Sequence, residues 1–429
     1  MDDFLKIIEL ISTLPKEFVP SSNALGRVLA EPMRARVSLP ATNVATIDGF
    51  AVRSEDVDRI PTTLFIQGES NSTHPFRGTL HKGNAIRTAA GGRVANGADS
   101  LVEVAKVVEQ EDSITLNAHP VYGENICPAG MDFSPETESF QPGTVMNSRL
   151  VGLASTMHLL WLPVVRRPRV AILAVGNELA MPGEATDQNN ITASSLYTIP
   201  ANVVASGGEP VILGIANDSL DMVRGKIRDS AGCDLLITTG GTSAGAGNLM
   251  RKALEGITDD IKTLRIQLKR NDLMFFSHYN GVPICSLPGN PTSSSIYFSM
   301  FVRPIINKMV GVREAPKQYA ILGRSLDEYD TGVAYLHASL SIDSSGTYQV
   351  IPMSAQDGFL LTELAKADCL LVVKENKNLK KGDYVEVIPF SHSLISTLDR
   401  RFCYALFSFY FGSCSLDGGS GSGSGCFQA

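Results

Sequence analysis

The stretch from Leu235 to Leu254 reads LLITTGGTSAGAGNLMRKAL. It opens as a short apolar run closed by two threonines, breaks into a glycine-rich turn and resumes as an amphipathic segment. A glycine turn between a strand and a helix is suited to anions, because bare backbone N–H groups and a helix N-terminus both favour negative charge. No Gly-Lys-Ser/Thr follows the turn, so it is not a P-loop. Gly240, Gly241, Gly245 and Gly247 do not fall at G-x-G-x-x-G spacing, so it is not a dinucleotide fingerprint either. A less common anion loop is specified.

The flanking sequence repeats the same unit. VAILAV, a helix near 194–205, PVILGI, a helix near 219–229, LLITTG and a helix from Asn248 alternate along the chain, which predicts a parallel, doubly wound sheet over residues 167–312. Ligands of such sheets bind beyond the C-terminal ends of the strands, where AVGNEL and TTGGTSAGAG both fall. Residues 40–144 and 313–390 instead carry short alternating runs separated by Gly, Asn and Asp, which predict an inserted β-rich domain and a C-terminal β-barrel. Helical periodicity is read in residues 1–30, with a second short helix capped by serine in SSNALGRVLAE. It returns over 147–163, through Leu150, Leu153, Ala154, Met157 and Leu160. Residues 1–39 with 145–166 then form a helical linking domain. The segment 391–429, apolar and then GGSGSGSG, reads as a disordered tail.

With 429 residues, 44% of them apolar and 19% charged, the chain is a multidomain globular protein. A net charge of −7 disfavours nucleic acid as the main partner, since neutralising phosphates needs a basic face. No apolar stretch approaches a membrane span, and MDDFLKIIEL lacks the lysines of a signal peptide. The seven cysteines include no C-x-x-C pair, which argues against a zinc site and fits a reducing cytoplasm.

Three further stretches could carry chemistry. In SLPGNPTSSSIYF (286–298), Pro288 and Pro291 bracket Gly289 and Asn290, making a stiff turn able to aim amides at an anion; an ordinary strand–turn–helix connection has the same composition. In PATNVATIDGFAVRSED (40–56), Asp48 precedes Gly49 at a turn and could present a carboxylate to a metal or a proton. Glu178, in VGNEL, follows a strand end and could do the same, or simply complement a helix N-terminus. LRIQLKRND adds Lys269 and Arg270.

Taken in order with GRVLAEPMRARVSLP, IRTAA, NGADSLVEV, GENICPAGMDF and LTELAKADCLLVV, these stretches resemble the molybdopterin molybdenumtransferases, a family that includes the C-terminal domain of gephyrin, over roughly residues 1–390. The resemblance implies an elongated four-part protomer and a homodimer whose cleft lies between the doubly wound domain of one copy and the β domain of the other. It implies a reaction in which molybdate enters adenylylated molybdopterin with release of AMP, assisted by Mg²⁺. It places Asp48, Glu178 and Lys269 among the catalytic groups, with Asp48, Glu178 and Asp132 near the metal. It assigns Thr88, Gly240, Gly241, Ser243, Ser286, Pro288, Gly289, Asn290 and Pro291 to substrate.

Four positions depart from the family pattern: Asn177 stands for an acid, Asn248 for another, Asp272 for a lysine and Gly358 for a serine. Asn accepts a hydrogen bond but carries no charge for a cation, and a lysine-to-aspartate exchange reverses the local sign. A second reading therefore stands beside the transferase: a catalytically impaired member acting as a pterin-binding or scaffold protein. A competence-damage-inducible type of enzyme is disfavoured, since that type lacks both ATIDGFAV and the C-terminal barrel.

Overall fold

In the computed structural model, the described residues are 2–184, 190–242, 248–258, 260–264, 273–313, 316–326, 333–342, 346–354, 356, 360–374 and 378–390. Ser243, Lys269, Arg270, Asp272, Gly358 and the segment 391–429 lie outside them. The chain divides into two compact units, one comprising Met1–Thr13 with Arg167–Ala429 and the other Leu14–Arg166.

Helix α1 (Asp2–Leu10) buries Phe4 and Ile7 on one stripe, with Phe4 edge-on to Phe301 at 4.8 Å. The expected second helix near Ser21 is a single 3-10 turn, Ser21–Asn23. The Ser21 hydroxyl donates to the Leu159 carbonyl rather than capping a helix, and Gly26 sits at φ +72°, so the chain turns away. The helix expected over 147–163 is α2 (Ser148–Thr156), capped by the Asn147 side chain, which accepts from the Leu150 N–H at 3.0 Å. His158 at φ +58° ends it, and Trp161–Val165 becomes a strand paired antiparallel with Lys16–Pro20. The apolar spacing of Leu153, Met157 and Leu160 outruns the helix because Leu160 is 74% exposed and belongs to the connection.

The main sheet of this unit has six strands, β1 (Gly49–Val52), β2 (Thr62–Ser70), β3 (Asn84–Thr88), β4 (Ser100–Glu103), β5 (Val107–Glu109) and β6 (Ser113–Leu116), in the order β4-β1-β3-β2-β6-β5. Gly49 opens the interior strand β1. A Cβ there would lie 2.3 Å from the Val102 carbonyl oxygen, so the glycine is demanded by the closeness of β4 rather than by a turn dihedral.

In the other unit, β7 (Arg169–Val175), β8 (Glu209–Ala216), β9 (Leu235–Thr239), β10 (Lys262–Leu264), β11 (Met274–Tyr279) and β12 (Val282–Leu287) form a sheet of order β8-β7-β9-β12-β11-β10. The first four in that order are parallel, β11 runs antiparallel to β12, and β10 runs antiparallel to β11. The helices are α3 (Ser195–Ala205), α4 (Leu220–Asp229), α5 (Leu249–Glu255), α6 (Pro291–Tyr297) and α7 (Arg303–Val310), with one π turn, Phe298–Val302, between the last two. Val223 and Ile227 of α4 and Met250, Ala253 and Leu254 of α5 close over Leu236, Phe275 and Ile284. The chain leaves β7 for β8 on one side and returns to β9 on the other, so the sheet reverses direction between β7 and β9. Such switch points leave a crevice at the strands' carboxyl ends.

Beyond it, β13 (Gln318–Leu322), β14 (Ala334–Ile342), β15 (Tyr348–Pro352), β16 (Cys369–Val373) and β17 (Tyr384–Pro389) close into a barrel in the order β13-β15-β14-β16-β17, with the short helix α8 (Leu361–Leu364) before β16. No helix among the described residues is long and apolar enough to cross a membrane.

Candidate active site at the switch point

Three turns leave the carboxyl edge of the doubly wound sheet side by side. β7 runs into Gly176-Asn177-Glu178, β9 into Gly240-Gly241, and β12 into Pro288-Gly289-Asn290-Pro291. The register pairs Ala174 with Thr239 and Thr239 with Leu287, so all three strands end at one level. The glycines make this proximity possible. A Cβ on Gly240 would fall 2.2 Å from the Val175 carbonyl oxygen, and one on Gly289 would fall 3.2 Å from the Gly240 Cα. Gly240 and Gly241 also hold φ of +92° and +65°, which side-chain-bearing residues resist. The Gly240 N–H donates to the Leu287 carbonyl at 3.2 Å, tying the glycine turn to the proline turn.

Around these turns the side chains are fixed by local bonds. Asn177 accepts the Asp218 N–H at 2.9 Å through Oδ1, pinning the loop after β8. That is a task an amide performs as well as a carboxylate, so the departure at Asn177 removes charge without removing the joint. Asn248 caps α5, accepting the Arg251 N–H at 3.2 Å. Asn290 caps α6 through the N–H groups of Thr292 (3.0 Å) and Ser293 (3.2 Å), with Pro291 at the first helical position, where its missing donor costs nothing. The Thr239 and Ser195 hydroxyls lie 2.9 Å apart, joining the end of β9 to the start of α3.

Glu178 is exposed and its carboxylate folds back over Gly176, where an added Cβ would stand 2.6 Å from Oε1. Among the described residues no cation forms an ion pair with it. Ser286 is not on this surface: it is fully buried, paired in register with Thr238, and neither hydroxyl has a hydrogen-bond partner among the described residues. Pro288 is buried beneath the turn, whereas Gly289 is exposed and Asn290 and Pro291 are half-buried.

In the β domain, the exposed Asp48 accepts the Ala90 N–H at 2.8 Å, which places the IDG bend beside the end of β3. Thr88 closes β3, paired with Gly49 of β1, and is buried with its hydroxyl donating to the Ile86 carbonyl at 3.1 Å. Asp132 is exposed on a separate loop whose N–H donates to the Leu39 carbonyl at 3.0 Å. No group of three or more His, Cys, Asp or Glu among the described residues is placed to hold a metal ion. Asp48 and Asp132 belong to the unit Leu14–Arg166, and Glu178 belongs to the other. Thr239, Ser195 and Asp218 escaped the sequence reading, because their roles come from tertiary neighbours rather than from any local motif.

A doubly wound domain with glycine and proline turns at its switch point, joined in sequence to a β-rich segment and a closed C-terminal barrel, makes this a multidomain α/β protein with an anion-suited strand edge. Family models for the MoeA N-terminal region (domains I and II), the probable molybdopterin binding domain and the MoeA C-terminal region (domain IV) match residues 1–157, 171–308 and 320–390. The chain belongs to the MoeA family. It is similar to a molybdopterin molybdenumtransferase of Haemophilus influenzae, with 24% identity over 88% of this chain and 95% of the relative. It is also similar to molybdopterin molybdenumtransferase 2 of Mycobacterium tuberculosis, with 29% identity over 83% of this chain and 91% of the relative. The molybdopterin biosynthesis MoeA protein of Pyrococcus horikoshii shares the fold, with a TM-score of 0.79 and 24% identity over 91% of this chain and 99% of that one.

Proposed function

We propose that the chain is a molybdopterin molybdenumtransferase that inserts molybdate into adenylylated molybdopterin and releases AMP. The observation that carries this reading is the abutment of Gly289 on Gly240, which gathers the glycine and proline turns at one strand edge where anions are favoured. The relatives named above are transferases, and the scaffold reading gains no comparable support. The departure at Asn177 leaves its structural bond in place.

The chemistry requires two anions to meet. Backbone N–H groups of the glycine and proline turns take the phosphate-bearing end, and Lys269 is assigned to the oxyanion by the family resemblance. Mg²⁺ binds through one or two carboxylates together with substrate phosphates rather than in all-protein cages. An exposed Glu178 without an ion-pair partner fits that habit, and Asp48 and Asp132 are assigned beside it by resemblance. When bound, the cation offsets charge on the phosphates. We further propose a cytoplasmic homodimer in which Asp48 of one copy serves the site of the other.

The test is AMP release from adenylylated molybdopterin with and without molybdate. The wild-type chain releases AMP in a molybdate-dependent manner. Asp48→Ala and Glu178→Gln are each impaired, and a mixture of the two variants regains activity when copies share sites. Full activity in Asp48→Ala would remove the assignment of that carboxylate.

A further inference from the structure

Away from the three turns, a cavity of about 360 Å³ opens between α3, the continuous helical run Pro291–Val310 and the barrel's α8. Its walls include Ile199, Phe298, Leu361, Leu364 and Phe390, and its polar lining includes Thr198, Asn202, Ser295 and Ser299. Among the described residues a single ionised side chain lines it, Arg303. The guanidinium donates through Nη1 to the Pro389 carbonyl at 2.6 Å and reaches the Phe390 carbonyl at 3.4 Å. No carboxylate among the described residues pairs with it. Burial alone lowers its pKa, with no acidic neighbour acting on it, yet arginine keeps its proton in proteins. Arg303 is half-buried, and a cation that loses part of its hydration without a counter-charge is left short of stabilisation. The two carbonyls also fix its direction, and among the described residues nothing accepts from the edge formed by Nε and Nη2. That edge matches the two oxygens of one carboxylate. The π turn Phe298–Val302 sets Phe298 and Ser299 on the cavity wall one turn before Arg303, and such turns recur at ligand sites.

We propose that this cavity is a binding site for a small amphipathic carboxylate, its acid paired with Arg303 and its apolar body against Phe298, Leu361, Leu364 and Phe390. The volume suits a small organic ligand. A single available guanidinium edge selects a monoanionic carboxylate over a dianionic phosphate. The site is separate from the turns assigned to the pterin and meets them only at Pro291, which lines both.

Calorimetric titration of the full chain tests it, with benzoate, phenylacetate, phenyl phosphate and neutral benzamide as probes. One of the two carboxylates binds saturably at one site per chain, and benzamide binds at least about tenfold weaker, as loss of a charge-assisted pair requires. Arg303→Met weakens carboxylate binding at least tenfold at unchanged benzamide affinity. Arg303 also braces Phe390, so Ala201→Phe, an exposed cavity-lining position on α3, supplies a second variant that fills the space and abolishes binding. Equal binding of benzoate and benzamide, tighter binding of phenyl phosphate, unchanged binding in Ala201→Phe, or no heat from either carboxylate at about 10 mM each overturn the proposal.

Discussion

Single atoms decide the candidate site. Gly240 tolerates no side chain, because Val175 O stands where a Cβ would go and its φ lies in the left-handed region. Gly240→Ala is expected to lower stability by more than about 1 kcal/mol, the cost of an incompatible backbone, and to do so with a loss of pterin affinity, read by thermal denaturation and titration. Glu178→Gln keeps the shape and removes the charge. Its molybdate-dependent AMP release is expected to fall by about a hundredfold, on the scale of losing one electrostatic group at a reacting centre. His337, in the barrel, shows the opposite case of a residue outside the reaction that still sets a property. It is 2% exposed, neither ring nitrogen has a hydrogen-bond partner among the described residues, and burial holds its pKa at about 4. The unfolded chain protonates near the ordinary histidine value of about 6.5, so stability is full above that pH and is lost as pH falls toward 4. The expected loss is about 3 kcal/mol. Urea denaturation at pH 7 and at pH 4 measures it, and in His337→Phe the difference between the two pH values shrinks by that amount.

At the scale of elements, helix ends and helix interiors make separate predictions. Asn290 satisfies two N–H groups of α6, so Asn290→Ala is expected to cost about 1 kcal/mol and to loosen the turn that touches Gly240. Gly225 lies inside α4 with nothing within 4 Å of an added Cβ. Gly225→Ala is expected to stabilise the chain by about 0.5–1 kcal/mol, seen as a higher Tm with unchanged activity. The doubly wound sheet was legible because β7 and β9 are continuous apolar runs closed by Gly176 and Gly240, and because α5 starts at the Asn248 cap, signals that act within a few residues. The SSNALGRVLAE segment was misread because Ser21 finds its partner at Leu159, a bond between residues far apart in the chain. Helix α2 was overextended for a related reason. The spacing of Leu160 fits a helical face, but the turn at His158 breaks the run before it.

On the scale of the whole molecule, the candidate site was legible in its turns and not in its depth. Gly240, Gly241, Gly289 and Pro291 meet at one strand edge because parallel strands of a switch-point sheet deliver them there. Ser286 shares the same motif yet faces inward, since alternation along β12 sends successive side chains to opposite faces and each face of this sheet is covered. Asp48 lies in the compact unit Leu14–Arg166 and the three turns lie in the other, and no periodicity or spacing in the sequence relates the two. The most direct measurement is titration of the purified chain with adenylylated molybdopterin, beside Gly240→Ala shown to be folded by circular dichroism. One saturable site in the wild type, weakened at least about tenfold in the variant, is the predicted result. Equal affinity in the two proteins would contradict the placement of the pterin's phosphates at the meeting of the glycine and proline turns.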